Sequence, residues 1–321
     1  MNTEDHNELR EIPFDLSTRE LGIVVGFDGS PNSELALDYG VAVAGRSGAP
    51  LTVVTTYKTP FPLYPNYASL PPTQEVGASE RAAEAALEAA ASHLSEYSGE
   101  VTYLTMEGDS VGALVDASAK AHLMIVGARG RGGFLGRVLG SVSMALPAHA
   151  QCPTVMVPVK AEFGDGPVVV GVDGSVHGRR AALHAAQEAA VRGTSLVLVT
   201  AMQTPDTGDY WYRVRPRSDS DLVDGRRAEL QEELQKEAAW VSEHVPGVEI
   251  SGEVRIGTPG EILHDAVPEA QLVVVGSHGR GAVASALLGS VSRATLHRSQ
   301  RPVMVVPPLK DERVEQAAPA R

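Results

Sequence analysis

The chain repeats itself, and the length of that repeat constrains the fold more than any other feature. Gly22–Ser30 reads GIVVGFDGS and Pro167–Ser175 reads PVVVGVDGS. Ile125–Ser143 (IVGARGRGGFLGRVLGSVS) returns as Val274–Ser292 (VVGSHGRGAVASALLGSVS), and CPTVMVPV from Cys152 is echoed by RPVMVVPP from Arg301. Gly26 and Gly171 lie 145 positions apart, whereas Gly127 and Gly276, Gly140 and Gly289, and Pro153 and Pro302 all lie 149 apart. The second copy therefore carries a net insertion between its first strand and its glycine loop. A period this long belongs to a whole domain rather than to a solenoid repeat, and 321 residues accommodate two such domains. The expected organisation is a tail over 1–20, a domain over 21–160, a second over 166–308 and a tail over 309–321, with the seam in Lys160–Gly166.

Each copy alternates strand and helix patterns. In the first, Ile23–Phe27 is a short apolar run of the kind buried on both faces. Ser30-Pro31 resembles a helix start, with Ser as cap and Pro in the first helical position, and Leu35–Ala44 continues as a helix. Leu51–Tyr57 is a β-branched strand, and a long Ala- and Glu-rich helix runs from Ala78 to about Tyr97. Val101–Met106 (strand), Val111–Ala119 (helix), Leu123–Val126 (strand), a helix from Ser141 and the strand Thr154–Val159 complete the unit. This order predicts an α/β fold with a parallel sheet and helices on both faces. Such sheets take ligands at the C-terminal ends of their strands. That end brings together the Asp after the first strand and the glycine loop after the fourth.

The strongest chemical signal is Gly127-x2-Gly130-x9-Gly140-Ser141, with its twin Gly276-x2-Gly279-x9-Gly289-Ser290. Glycine accepts positive φ, so such a loop is expected to fold tightly and turn N–H groups inward as an anion nest. It ends at a helix start, whose unpaired amides and dipole also favour an anion. The hydroxyls of Ser141 and Ser290 are candidate donors to a phosphate. The competing reading is a pair of turns needed only for packing. No Lys occurs in either loop, so neither is a Walker A loop, and the G-x-G-x-x-G spacing of the dinucleotide fingerprint is absent too. Neutralisation would fall to backbone dipoles, a metal ion, or Arg131 and Arg280, which read equally well as solvated loop residues. Asp28 and Asp173 each sit in an Asp-Gly-Ser turn, where a carboxylate can accept from ribose hydroxyls or a base amino group. An Asx-turn with no ligand role is the alternative.

These segments together resemble the universal stress protein family, over nearly all of Gly22–Val159 and Pro167–Pro307. The resemblance implies a Rossmann-like five-stranded parallel sheet of order 3-2-1-4-5 in each copy, and ATP binding, with or without Mg2+. It assigns phosphate and ribose to Gly127, Gly130, Gly140, Ser141, Val142 and Ser143, and in the second copy to Gly276, Gly279, Gly289, Ser290, Val291 and Ser292. Asp28 and Asp173 would contact the nucleoside, and the backbone near Thr56 and Ala201 would face the adenine. The resemblance also implies pairing of the two copies as a pseudo-dimer along their last strands, and a homodimer of chains. His122 and Gln271 stand where the family often has Asp before the fourth strand. His278 stands in the second loop opposite Arg129 in the first, so the two sites are expected to differ in affinity and pH response. The Pro-rich, aromatic inserts Lys58–Gly77 and Gln203–Asp221 read as lids over the adenine or as surface loops.

Composition narrows the classes. A formal net charge of −13 disfavours a nucleic acid as main partner. The lone Cys152 excludes an internal disulfide and fits a reducing compartment, where it reads as a small core residue. The acidic N-terminus lacks the pattern of a secretory signal, and no apolar run reaches the ~18 residues of a membrane span, so a cytoplasmic location is expected. No Ser-His-Asp set, carboxylate pair or metal-ligand spacing appears. The expectation is therefore a nucleotide-binding stress-response regulator, the alternatives being a slow ATP hydrolase or a scaffold with vestigial sites.

Overall fold

The computed structural model describes residues 11–59, 77–130, 139–159, 161, 164–203, 219–265, 270–280 and 288–317, with the backbone alone at 219–221, 265 and 316–317. The chain falls into two compact units: Pro13–Ala161, and Glu162–Arg321 together with Met1–Ile12.

In the first unit the order is β1 (Gly22–Gly26), α1 (Pro31–Ser47), β2 (Leu51–Tyr57), α2 (Ala78–His93), β3 (Val101–Glu107), α3 (Ser110–Ser118), β4 (Ala121–Gly127), α4 (Ser141–His149) and β5 (Thr154–Val157). The strands lie in the order β3-β2-β1-β4-β5, and each neighbouring pair is parallel. Val24 and Val25 of β1 have no exposed surface, whereas β3 at the edge has only exposed and partly buried positions. This is the pattern expected when helices cover both faces of the central strands. Ser30 caps α1 by accepting from the Ser33 N–H, and Pro31 occupies the first turn. α2 ends at His93, about a turn before the end expected from sequence, and Leu94 forms its C-cap.

In the second unit the order is β6 (Val168–Gly171), α5 (Val176–Arg192), β7 (Leu196–Met202), α6 (Asp219–His244), β8 (Ile250–Ile256), α7 (Pro259–Asp265), β9 (Leu272–Gly276), α8 (Ser290–Arg298), β10 (Val303–Val306) and α9 (Glu312–Ala317). Its strands run β8-β7-β6-β9-β10, again parallel, which repeats the 3-2-1-4-5 order. Both units therefore have the Rossmann-like α/β architecture read from the repeat.

Residues 11–19 are built into the structure. In the second unit Ile12 forms a bridge with Leu309, and Glu11 pairs with the buried Arg180. In the first unit Arg19 is 5% exposed. Its Nη1 donates to the carbonyls of Ser118 and Ala121 (both 2.8 Å), and its Nη2 to those of Pro13 (3.1 Å) and Gln151 (2.8 Å). The guanidinium also lies 4.3 Å from the centre of the Phe14 ring. Four carbonyls and an aromatic face thus replace the water this cation gives up.

Candidate functional site

At the C-terminal end of each sheet the two copies build the same turn. Phe27 and Val172 extend the first strand of their units through N–H bonds to Val54 and Val199 (2.8 and 2.9 Å). Thr55 and Thr200 donate from their hydroxyls to the Phe27 and Val172 carbonyls (2.8 and 3.1 Å). Asp28 and Asp173 follow. One carboxylate oxygen of each accepts from the Ser30 or Ser175 N–H at 3.0 Å, forming an Asx-turn. Gly29 and Gly174 between them have φ of +74°, a conformation that favours glycine. The local role of the aspartates is thus plain, and it occupies only one oxygen of each.

The second oxygen faces the glycine loop. Asp173 Oδ2 accepts from the Arg280 N–H at 2.9 Å. A methyl group added at Gly130 would stand 2.5 Å from Asp28 Oδ2, and one at Gly279 would stand 2.6 Å from Asp173 Oδ2. Gly127 packs as closely, since its added methyl would meet the Asn32 carbonyl oxygen at 2.5 Å. These glycines are required by close approach, not by handedness. None of Gly127, Gly130, Gly140, Gly276, Gly279 and Gly289 has positive φ, which corrects the expectation that a left-handed conformation bends the loop.

A second correction concerns the loop amides. The Gly140 and Gly289 N–H groups donate to the protein's own Ala128 and Ser277 carbonyls (3.0 and 2.8 Å). The Ser143 and Ser292 hydroxyls donate to the Gly127 and Gly276 carbonyls (2.8 and 2.6 Å) and so close the loop upon itself. Among the described residues, the helix starts offer further donors. α4 and α8 begin at Gly140 and Gly289 with no side-chain cap, and their first helical bonds are made by the Met144 and Arg293 N–H groups. The amides of Ser141, Val142 and Ser143, and of Ser290, Val291 and Ser292, precede those bonds and have no intrahelical acceptor. The Ser141 and Ser290 side chains are exposed.

In the second unit these groups line one cleft of ≈ 1460 Å³. Its walls include Asp173, Ala201, Gly276, Gly279, Gly289, Ser290, Val291 and Ser292, every second-copy residue that the sequence nominated. In the first unit Thr56 shares a 2.6 Å hydroxyl–hydroxyl bond with Ser110 at the start of α3, so its side chain is engaged. Arg280 lies against Gly174. Arg131 falls outside the described residues, as do most of the inserts Lys58–Gly77 and Gln203–Asp221. His122 and Gln271 lie at the N-terminal side of their strands, where they bond the Leu16 and Gly166 carbonyls (3.1 and 2.6 Å).

The sequence reading missed the outer wall of the cleft. Arg179 of α5 forms a two-pronged pair with Glu237 of α6 (Nε at 2.9 and 3.0 Å, Nη2 at 2.6 Å) and lies 4.7 Å from the centre of the Trp240 ring. The bond to Glu237 raises the Arg179 pKa and keeps the guanidinium charged. All three residues line the cleft. The i, i+3 spacing of Glu237 and Trp240 was the one available signal, and it named no partner.

The universal stress protein family matches residues 22–158 and again 166–307. The chain belongs to the universal stress protein family. A universal stress protein of Mycolicibacterium smegmatis is 36% identical over 304 residues, covering 91% of this chain and 99% of that one. Universal stress protein Rv1996 of Mycobacterium tuberculosis is 33% identical over 308 residues, covering 89% of this chain and 94% of that one. Among solved structures, a universal stress protein from Archaeoglobus fulgidus superposes with a TM-score of 0.64 at 21% identity, covering 93% of this chain and 100% of that chain, a likeness of fold. No helix among the described residues is long and apolar enough to cross a membrane.

Proposed function

We propose that this universal stress protein binds ATP, one nucleotide in each copy, and acts as a nucleotide-dependent regulator of a stress response in the cytoplasm. The observation that carries this reading is the second-unit cleft, where a strand-end carboxylate, close-packed glycines and an uncapped helix start share one wall. The cleft fits the ligand's chemistry. Helix-start amides with no internal acceptor suit phosphate oxygens. The absence of side chains at Gly130 and Gly279 lets the loop lie close against Asp28 and Asp173, so that each carboxylate borders the glycine loop. Ser290, Val291 and Ser292 would hold the phosphates through their N–H groups, and Asp173 the ribose; Ser141, Val142, Ser143 and Asp28 are their counterparts. A bound Mg2+ would neutralise the phosphate tail in place of the missing loop lysine. The strand-end backbone at Thr56 and Ala201 would flank the base.

The test needs no assumed ligand. The chain is purified without added nucleotide and denatured, and the supernatant is analysed by chromatography and mass spectrometry. Adenine nucleotide approaching about two per chain, and a rise in melting temperature on adding ATP, are expected. Neither result appearing would reduce the protein to a scaffold. Steady phosphate release lost in Asp28→Ala together with Asp173→Ala would instead make it a hydrolase.

A further inference from the structure

The two copies share their frame but differ at two positions beside the glycine loop. Aligned through the repeat, Asn32 at the start of α1 corresponds to His177 at the start of α5, and Arg129 in the first loop corresponds to His278 in the second. The structure brings the two histidines together, with ring centres 6.2 Å apart. His278 is buried, lines the cleft, and bonds the Ser277 hydroxyl through Nδ1 at 3.0 Å. His177 packs against Gly276 through its backbone, and its Nδ1 is buried without a hydrogen-bond partner. An orphaned buried nitrogen is costly, and burial makes a lone proton on it costlier still; an anion nearby offsets that second cost by pairing with the protonated ring.

We infer that ligand binding at the second copy is coupled to proton uptake by the His177–His278 pair, whereas the first copy, with Asn32 and Arg129, binds its nucleotide without that coupling. The inference rests on the reading that these clefts take a nucleotide. Burial first and then His278 hold the His177 pKa below its ordinary value, and Asp173 opposes them. Few charged groups attend the pair among the described residues. Asp173 comes from the turn before α5, and Arg280 from the loop, its N–H bonded to Asp173 and its guanidinium against Gly174. On α5 itself, Arg179 is held by Glu237 and Arg180 by Glu11. A phosphate tail seated at Ser290–Ser292 adds negative charge to the cleft that His278 lines, with the His177 ring 6.2 Å behind it, and so favours a proton on the pair. Coupling of this kind is reciprocal, so a lower pH tightens nucleotide binding at this copy. Arg129 already carries its charge at any physiological pH and gives the first copy no such dependence.

The experiment uses the full chain and ATP as the probe. His177→Asn and His278→Arg are combined, because each installs the residue the other copy holds in the same place. Calorimetric titration in two buffers of different ionisation enthalpy gives the protons taken up per ATP bound. ATP's own terminal phosphate titrates in the same range, so the wild-type value is read against the double variant. The wild type is expected to take up about one more proton per chain, with its weaker-pH limb changing affinity about tenfold per pH unit for each such proton. In parallel, histidine-labelled wild-type chain is titrated by NMR, and the midpoints of His177 and His278 are expected to rise when ATP saturates. This arm stands even if the double variant does not fold. Equal proton uptake in both chains, or midpoints that ignore ATP, overturns the coupling while nucleotide binding survives. No ATP bound by the wild type at pH 6 or pH 8 overturns the nucleotide reading and the coupling with it.

Discussion

Replacing Gly140 by serine separates stability from binding at the helix start. Gly140 is the N-cap of α4 with φ −70° and ψ 162°, an extended conformation that serine adopts freely. An added methyl would find its nearest atoms, the Ala128 oxygen, the Arg129 Cα and the Ser143 hydroxyl, all at 3.6 Å, which is ordinary contact. The new hydroxyl can accept from the Val142 or Ser143 N–H, the role of a normal cap. Capping contributes a few tenths of a kcal/mol over glycine, and loss of glycine's freedom in the unfolded chain contributes about 0.4–1 kcal/mol. The variant should therefore melt roughly 1–4 °C higher in the absence of nucleotide. The same hydroxyl consumes a donor assigned to phosphate. Losing one hydrogen bond to a charged group costs about 1.5–3 kcal/mol, or roughly 10–100-fold in ATP affinity at the first copy. Thermal melting and equilibrium dialysis with labelled ATP read the two effects independently. A variant that gains stability and keeps wild-type affinity in both copies would show that the amides of α4 do not hold the anion. Gly127→Ala is the contrast. Its methyl would lie 2.5 Å from the Asn32 oxygen, roughly 0.9 Å inside ordinary contact. α1 must then retreat from β4, at a cost of about 3 kcal/mol, which lowers the melting temperature by roughly 6–12 °C whether or not nucleotide is present.

Other outcomes follow from buried groups. Arg19→Met keeps the apolar stem but orphans the four carbonyls that the guanidinium serves, and chemical denaturation should show a loss of about 3 kcal/mol; a loss under 1 kcal/mol would make the clamp incidental. Cys152 is fully buried, and burial pushes its thiol up to about 12, so it should stay unmodified by a thiol reagent at pH 8 until the chain is denatured. His184 is partly buried, and desolvation draws its pKa down to about 4. The native state then binds fewer protons than the unfolded state between the two values, so this contribution is complete above pH ~6.5 and is lost as pH falls toward 4, up to about 3 kcal/mol in all. His184→Tyr, which copies Tyr39 of the first unit, should flatten that acid limb in melting curves, and an unchanged limb would assign it to other groups.

The sequence by itself determined the duplication, the alternation of strand and helix, and which loops meet at the sheet's C-terminal end. Those features are periodic or local: a Ser-Pro cap, a β-branched run, glycines spaced 127–130–140 and repeated at 276–279–289. Even there the cause of the spacing was hidden. Positive φ is a property of one residue, and the sequence reading assigned it to the loop. Gly127 and Gly130 instead make room for Asn32 and Asp28, about a hundred positions away in the chain, and no local rule records that neighbour. Tertiary structure alone decided which loop donors are spent on Ala128, Ser277, Gly127 and Gly276 and which remain at the helix starts. It alone placed Arg179 of α5 on Glu237 and Trp240 of α6, and set His177 beside His278. A hydrogen-bond partner or a buried neighbour belongs to the packing of distant elements, and only the closed fold brings such pairs within reach.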